Sequence, residues 1–319
     1  MKKTVAFLIP FFLLTGCSDN MSLSTENIVV PDEGTPPTIL YTVTMNSEKM
    51  FGGVFINEME QLDNLSTDEG DVMTGFNATA FLEPGINGIG LLVASADVYE
   101  QKKEHRPEGQ FGAVLSAVTR ENHNTELTSL NISVDDGKPT AKTSETYPAK
   151  HQTELTDFNG VTEGYATTFN RQFFIKTIPE WNWVRASPFV ENGDNMKKLY
   201  RAYSELHQMI ENKKFSSLKA AWSLSSREKA MAEGYSSTAD EFYRAVGIES
   251  SFEDHPDIYV EPIGEWSDYT LVSFANGRLV RLVDSRDSSP LRLVSPKEDL
   301  LITFLPYFSI IDGRVVISR

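Results

Sequence analysis

The sequence predicts an α+β protein overall, in which an N-terminal β-sandwich domain is followed by a C-terminal α+β domain with helices packed on an antiparallel sheet. Short apolar segments of strand character alternate with turn residues from Ile39 to about Phe189, a pattern typical of sandwiches. Beyond Phe189 the apolar residues recur at helical spacing, and strand-like segments follow them. Helices followed by an antiparallel sheet are typical of an α+β domain.

The first residues have the composition of an export signal. Two lysines precede an apolar run from Val5 to Leu14, and Cys17 follows shortly after it. A helix needs ~20 apolar residues to cross a bilayer, and this run is much shorter. Residues 1–16 are therefore predicted to be a cleavable signal peptide rather than a membrane span.

The end of this signal, Leu14-Thr15-Gly16-Cys17, resembles the lipobox of bacterial lipoproteins. The resemblance implies that Cys17 is lipidated, that the chain is cut before it, and that the membrane is a partner. An aspartate directly after the cysteine commonly retains such proteins in the inner membrane, and here Ser18 stands there. The expected location is therefore the outer membrane, facing the periplasm. The alternative is an ordinary signal peptide in which a cysteine falls at this place by chance.

Cys17 is the only cysteine of the chain, so an intramolecular disulfide is excluded and stability must come from the core. The polar segment that follows predicts a lipid anchor and flexible tether over residues 17–37. The β-sandwich-like domain is then expected over residues 38–189 and the α+β domain over residues 190–319.

Five segments of the first domain have strand character, and Asp135-Asp136-Gly137-Lys138 predicts a hairpin turn. The segment from Phe81 to Val93 resembles an edge found in jelly-roll and immunoglobulin-like sandwiches. The five predicted strands are Ile39–Met45, Phe76–Leu82, Ile89–Val93, Ala113–Thr119 and Leu130–Val134.

The second domain is predicted to begin with a long amphipathic helix capped by Asp194. Ser225 with Glu228 reads as a capping box for a short helix, and Ser237 with Asp240 opens another that ends at Gly247. The apolar face of the long helix comprises Met196, Leu199, Tyr200, Tyr203, Leu206 and Ile210.

Strands follow these helices, and the first two are joined by Asn276-Gly277, a strong hairpin signal. This order of helices and sheet resembles the cone-shaped folds of the nuclear transport factor 2 type. The predicted strands are Tyr269–Ala275, Arg278–Val283, Leu291–Val294, Leu300–Phe304, Phe308–Ile311 and Val315–Ile317.

The formal net charge of −16 limits the kinds of partner. Binding of nucleic acid by neutralisation of phosphates requires the opposite balance, so no nucleic-acid partner is expected. Cationic proteins, cationic ligands or metal ions are attracted to such a surface. A general acidity that only keeps an exported protein dissolved is the alternative.

No catalytic motif is present: the chain lacks a Gly-x-Ser-x-Gly elbow, a His-Glu-x-x-His helix and a phosphate-binding glycine loop. The five histidines are scattered without the spacing of zinc ligands. The acidic loop Asp63, Asp68, Glu69 and Asp71 departs from the spacing of a calcium-binding EF-hand. No catalytic residue, cofactor or metal is therefore predicted.

Trp181, Trp183 and Arg185 are the candidate binding residues, since tryptophan and arginine dominate protein-binding hot spots and tryptophan also stacks on sugars. In an alternating segment both indoles point to the same side. The alternative is that the two indoles wedge the junction between the domains.

These features together predict a non-catalytic lipoprotein that binds another protein, with an immunity protein that neutralises a cationic antibacterial effector as the concrete form. Two alternatives stay open. One is an envelope protein that binds a small ligand or glycan, and the other is a hydrolase whose acid–base pair only the fold would reveal.

Overall fold

The computed structural model describes residues 23–25, 28–30, 35–141, 159–234 and 237–319. Within these ranges the chain forms seventeen strands in four sheets and five α-helices. The predicted α+β class, with helices packed on one antiparallel sheet, is wrong, because the protein is largely β. The helical periodicity after Phe189 predicts a large helical layer, but only the first of the helices is long, and the strands after them form two sheets.

Ten strands lie in the first half of the molecule. They are β1 (Ile39–Glu48), β2 (Met50–Ile56), β3 (Met59–Asp63), β4 (Val72–Asn77), β5 (Gly85–Ser95), β6 (Gln110–Thr119), β7 (Asn124–Asp135), β8 (Lys138–Thr140), β9 (Val161–Glu163) and β10 (Ala166–Ile175). They form two antiparallel sheets, in the orders β4-β1-β6-β7-β8 and β3-β2-β5-β10-β9.

Alternation along these strands builds the core between the two sheets. Strand β1 buries Tyr41, Val43 and Met45 at every second position, because successive side chains of a strand point to opposite faces. These residues and those of the facing sheet, such as Leu91 and Phe169, belong to one apolar cluster. The two sheets therefore share a single core, named here the sandwich core.

Five helices follow in the second half, and no helix of the described residues is long and apolar enough to cross a membrane. The first helix is capped by the side chain of Asn192, which accepts hydrogen bonds from the backbone N–H groups of Asp194 and Asn195, so the predicted cap at Asp194 is wrong by two residues. The helices are α1 (Gly193–Glu211), α2 (Phe215–Ala221), α3 (Ser223–Ala232), α4 (Ala239–Arg244) and α5 (Ile248–Asp254).

Seven strands complete the second half: β11 (Tyr259–Val260), β12 (Thr270–Phe274), β13 (Leu279–Val283), β14 (Leu291–Ser295), β15 (Leu300–Phe304), β16 (Phe308–Ile311) and β17 (Arg314–Ile317). They form two antiparallel sheets, in the orders β11-β14-β15 and β12-β13-β16-β17. Helix α1 packs against both sheets, since Leu199 and Leu206 share a buried cluster with Leu293 and Phe308.

An amino-terminal segment docks onto the second half, within the range predicted to be a flexible tether. Leu23 forms a parallel bridge with Val315, and the backbone N–H of Ser24 donates to the carbonyl of Val315 at 2.8 Å. Val30 is 3% exposed and belongs to a third buried cluster. The described parts of residues 23–30 therefore belong to the folded body.

This third cluster lies between the two halves and is named here the junction. It joins Met59 and Ala80 of the first half to Leu224 and Leu279 of the second, and the connecting segment contributes Trp183. Because buried residues of both halves contact each other there, the junction fixes one half against the other.

Candidate functional site

The predicted site residues have different surroundings in the structure. Cys17, the predicted lipidation site, lies outside the described residues. Trp181 and Trp183 are 1% and 0% exposed, and their indole N–H groups donate to the carbonyls of Thr79 at 3.0 Å and of Ala80 at 3.2 Å. The two indoles are thus held by the first half of the molecule.

Cationic side chains occupy the faces of the indoles. The guanidinium of Arg319 lies 5.5 Å from the ring centre of Trp181 and 5.8 Å from that of Trp183, and that of Arg278 lies 5.3 Å from Trp183. This geometry is that of a cation–π interaction. The arrangement matches the junction wedge, the alternative that the sequence left open. Of the three candidate binding residues, Arg185 alone is exposed, and the binding role of the set stays a prediction.

A fully buried ion pair lies beside the indoles. The guanidinium of Arg319 bonds the carboxylate of Glu228, and both side chains are 0% exposed. The other carboxylate oxygen of Glu228 accepts from the backbone N–H of Asn182 at 2.7 Å and from its side-chain amide at 2.9 Å. Such bonds are needed, because a buried charge is stable only when it is paired and hydrogen-bonded.

The capping box predicted for Ser225 and Glu228 is wrong. Helix α3 begins at Ser223, so both residues lie inside the helix, where they are 1% and 0% exposed. The charge is tolerated there because Arg319, 91 positions away, pairs with it and Asn182 donates two hydrogen bonds to it. The feature of the sequence that could have indicated the ion pair is a glutamate on a helix face that is otherwise buried.

Next to the ion pair opens a cavity of about 390 Å³, named here the junction pocket. Its apolar wall includes Leu62, Phe81 and Leu305. Its polar lining consists of Glu60, Gln61 and Asp63 of β3, Lys229 of α3, Arg281 of β13, Tyr307 and Arg319.

The cations of the junction pocket have unused hydrogen-bonding capacity. Within the described residues, the Nε of Arg281 and the Nη2 of Arg319 are buried without a hydrogen-bond partner. The ammonium of Lys229 lies 5.9 Å from the ring centre of Phe81 and has no hydrogen bond or ion pair in the described part of the chain. Burial, together with the charge of Arg319, lowers the pKa of Lys229 to about 8.

The acidic residues of the pocket lie nearer to solvent. Glu60 and Asp63 are both exposed, whereas Arg319 is 3% exposed. Partial burial and the charge of Asp63 raise the pKa of Glu60, and Arg281 opposes this. The pocket therefore has a cationic floor, formed by Lys229, Arg281 and Arg319, and an acidic rim, formed by Glu60 and Asp63.

Two aromatic rings hold the guanidinium of Arg281 in place. Its guanidinium lies 5.3 Å from the ring centre of Phe274 and 5.4 Å from that of Tyr307. One of its amino groups also donates to the Tyr307 hydroxyl at 3.4 Å. Burial raises the pKa of Tyr307, so this hydroxyl is a neutral donor or acceptor at pH 7.

Comparison of the chain with protein-family models, curated proteins and solved structures found no match. A function for this chain must therefore be inferred from the residues of the site and their chemistry.

The acidic loop weighed as a calcium site is occupied by cations of the chain itself. Lys49 pairs with Glu69 and with Asp71, and Arg106 pairs with Glu69 at 3.0 Å. These pairs hold the pKa of Glu69 below its usual range, and the backbone N–H of Lys49, together with its ammonium, lowers the pKa of Asp71. In the ranges that the structure describes, no group of three or more His, Cys, Asp or Glu side chains is placed to hold a metal ion.

Proposed function

We propose that this chain is a binding protein that receives the carboxylate or phosphate group of a small ligand in the junction pocket. The observation that carries the proposal is a pair of buried donors, on Arg281 and Arg319, that have no partner among the described residues, in the same cavity as the ammonium of Lys229, which is likewise unpaired there. Leaving a buried donor unsatisfied costs about 1–3 kcal/mol. An anionic ligand supplies the missing acceptors, and bonds to charged groups are the strong ones.

The local charge differs from that of the whole protein. The chain carries a formal net charge of −16, which repels anions at long range. The floor of the pocket is cationic and partly buried, and such charges are screened much less by salt than exposed ones. Selectivity for an anion therefore comes from the pocket itself. A cavity of about 390 Å³ is at the lower end of the usual range for ligand sites, which favours a small ligand.

Hexanoate is a suitable test probe, because its carboxylate fits the floor and its chain fits the apolar wall. Titration calorimetry with the mature chain is expected to detect binding that weakens about tenfold in Lys229→Gln and in Arg281→Gln. Lys219→Gln is the matched control, since Lys219 is half exposed and pairs with Asp240 at the surface. Absence of binding at millimolar hexanoate, or equal binding by all variants, would overturn the proposal.

The proposal includes attachment to the envelope through lipidated Cys17, on the outer membrane and facing the periplasm. It rests on the lipobox resemblance. Metabolic labelling with a fatty acid tests the attachment: label is expected on the native chain and not on Cys17→Ser.

A cationic protein partner, with neutralisation of an antibacterial effector as its purpose, is a second candidate, which the net charge favours. Electrostatic attraction of this kind accelerates association and weakens with salt. Deletion of the gene is expected to sensitise the cell to a neighbouring attacker, and expression of the native chain to restore protection. Unchanged survival of the deletion strain against every attacker tested would remove this candidate.

A further inference from the structure

The acidic rim of the junction pocket is unexplained if the ligand is only an anion. Glu60 and Asp63 line the same cavity as Lys229 and Arg319, and their charges would repel a carboxylate entering past them. Both rim residues are exposed, whereas Arg319 is buried and Lys229 and Arg281 are partly buried. The pocket thus offers opposite charges at two depths.

We infer that the ligand is zwitterionic, with a carboxylate that binds the cationic floor and an ammonium that binds the acidic rim, as in an amino acid or a short peptide. This inference rests on the proposed function of the pocket. The decisive juxtaposition, within the part of the chain that the structure describes, is that of the buried Nη2 of Arg319, which has no hydrogen-bond partner there, and the exposed Glu60 in one cavity.

The order of the charges sets the orientation of the ligand. Glu60 and Asp63 both belong to β3, whereas Lys229 belongs to α3. The rim and the floor therefore come from different elements that line the same cavity. Since the apolar wall spans the same cavity, a ligand with methylene groups between its two charges fits best.

The two ends contribute unequally to affinity. A charge-assisted hydrogen bond on the buried floor is strong, whereas an ion pair at an exposed rim is weak because water and salt screen it. The carboxylate therefore supplies most of the binding free energy, and the ammonium supplies a modest preference of about three- to tenfold.

Three probes with six carbon atoms each separate these contributions: 6-aminohexanoate, hexanoate and hexylammonium. Titration calorimetry of the mature chain is expected to show that 6-aminohexanoate binds about three- to tenfold more tightly than hexanoate, and that hexylammonium binds most weakly. In Glu60→Gln the preference for the zwitterion is expected to disappear, while hexanoate binds at least as tightly as before.

The control is Glu58→Gln, on the exposed turn before β3 and outside the lining of this pocket. This variant is expected to keep the native order of the three probes. If hexanoate binds as tightly as 6-aminohexanoate to the native chain, the zwitterionic ligand is excluded while the anion site stands. If neither probe binds, the proposed function fails together with the inference.

Discussion

The sandwich core and the junction are both buried, but different forces hold them. The sandwich core is an apolar cluster in which residues such as Leu91 and Phe169 pack on neighbouring strands. The junction also encloses Glu228 and Arg319, whose hydrogen bonds join residues as much as 239 positions apart. Apolar burial is non-directional and tolerates relaxation, whereas a buried charge depends on each of its partners. The two regions should therefore respond differently to substitution.

Glu228→Ala is expected to have the largest effect, a loss of about 4 kcal/mol in the free energy of unfolding. The substitution leaves the Arg319 guanidinium buried without its anion, and breaking a buried pair in this way costs about 3–5 kcal/mol. It also removes the acceptor of the Asn182 backbone N–H. Chemical denaturation with urea measures the loss.

The double variant Glu228→Leu with Arg319→Met tests whether charge is the cause. Because an apolar pair of similar volume often replaces a buried ion pair at little cost, this variant is expected to recover most of the lost stability. A double variant as unstable as Glu228→Ala would mean that the junction depends on shape rather than on charge pairing.

Leu91→Ala in the sandwich core is expected to lower the free energy of unfolding by about 3 kcal/mol, because it removes buried methyl groups and leaves a cavity. Leu91 is 0% exposed and packs between the two sheets. This loss should not depend on pH, because no titratable group is removed. Ile86→Ala on the same strand is the control, since Ile86 is 60% exposed and its truncation should change stability by less than about 0.5 kcal/mol. Equal losses at both positions would contradict the prediction.

The contrast between the two regions also explains what the sequence could predict. Local signals were sufficient for β15, whose bounds are those expected, and for the turn between Asp135 and Lys138, where Asp136 and Gly137 have the positive φ of a hairpin turn. Alternation and turn chemistry act over a few residues, so they can be recognised without knowing the fold.

Other features depend on contacts that no local pattern contains. The strand expected to run to Leu82 ends at Asn77, because the Asn77 side chain accepts from the backbone N–H of Thr79 at 2.9 Å and the Thr79 hydroxyl accepts from that of Tyr41 at 2.8 Å. Such side-chain bonds compete with strand pairing. The junction pocket likewise combines side chains of β3, α3 and β13, which only the folded chain brings together.

Lys229→Met tests whether the floor of the pocket is held at a cost to stability. The pKa of Lys229 falls from 10.5 to about 8 on folding, so between pH 8 and 10.5 the unfolded state binds more protons and native stability rises with pH. Below pH 8 Lys229 is charged in both the folded and the unfolded state, and the full free-energy cost of burying its charge applies. At pH 7 the variant is expected to be more stable than the native chain by about 1–2 kcal/mol, and the difference should shrink as the pH approaches 10.5.

The same titration affects the ligand. As the pH rises from 7 to 9, the ammonium of Lys229 loses its proton, and hexanoate affinity is expected to fall in the native chain but to stay level in Lys229→Met. Unfolding and calorimetry series over this pH range check both parts. A native chain whose stability difference from the variant is independent of pH would show that Lys229 is not desolvated.

Arg185→Ala is expected to have the smallest effect and separates two meanings of the Trp181 to Arg185 segment. The Arg185 side chain is 48% exposed, and its nearest carboxylate, on Glu180, is 3.8 Å away, a geometry that contributes little. Its truncation should change the free energy of unfolding by less than about 0.5 kcal/mol and leave hexanoate affinity unchanged.

Trp183→Ala, two positions earlier, should cost about 3–5 kcal/mol, because it empties a buried site. If Arg185→Ala weakens capture of a purified protein partner while stability stays native, Arg185 is a recognition residue beside a structural tryptophan. If it destabilises the fold as strongly as Trp183→Ala, the junction extends to the surface and the predicted binding role is wrong.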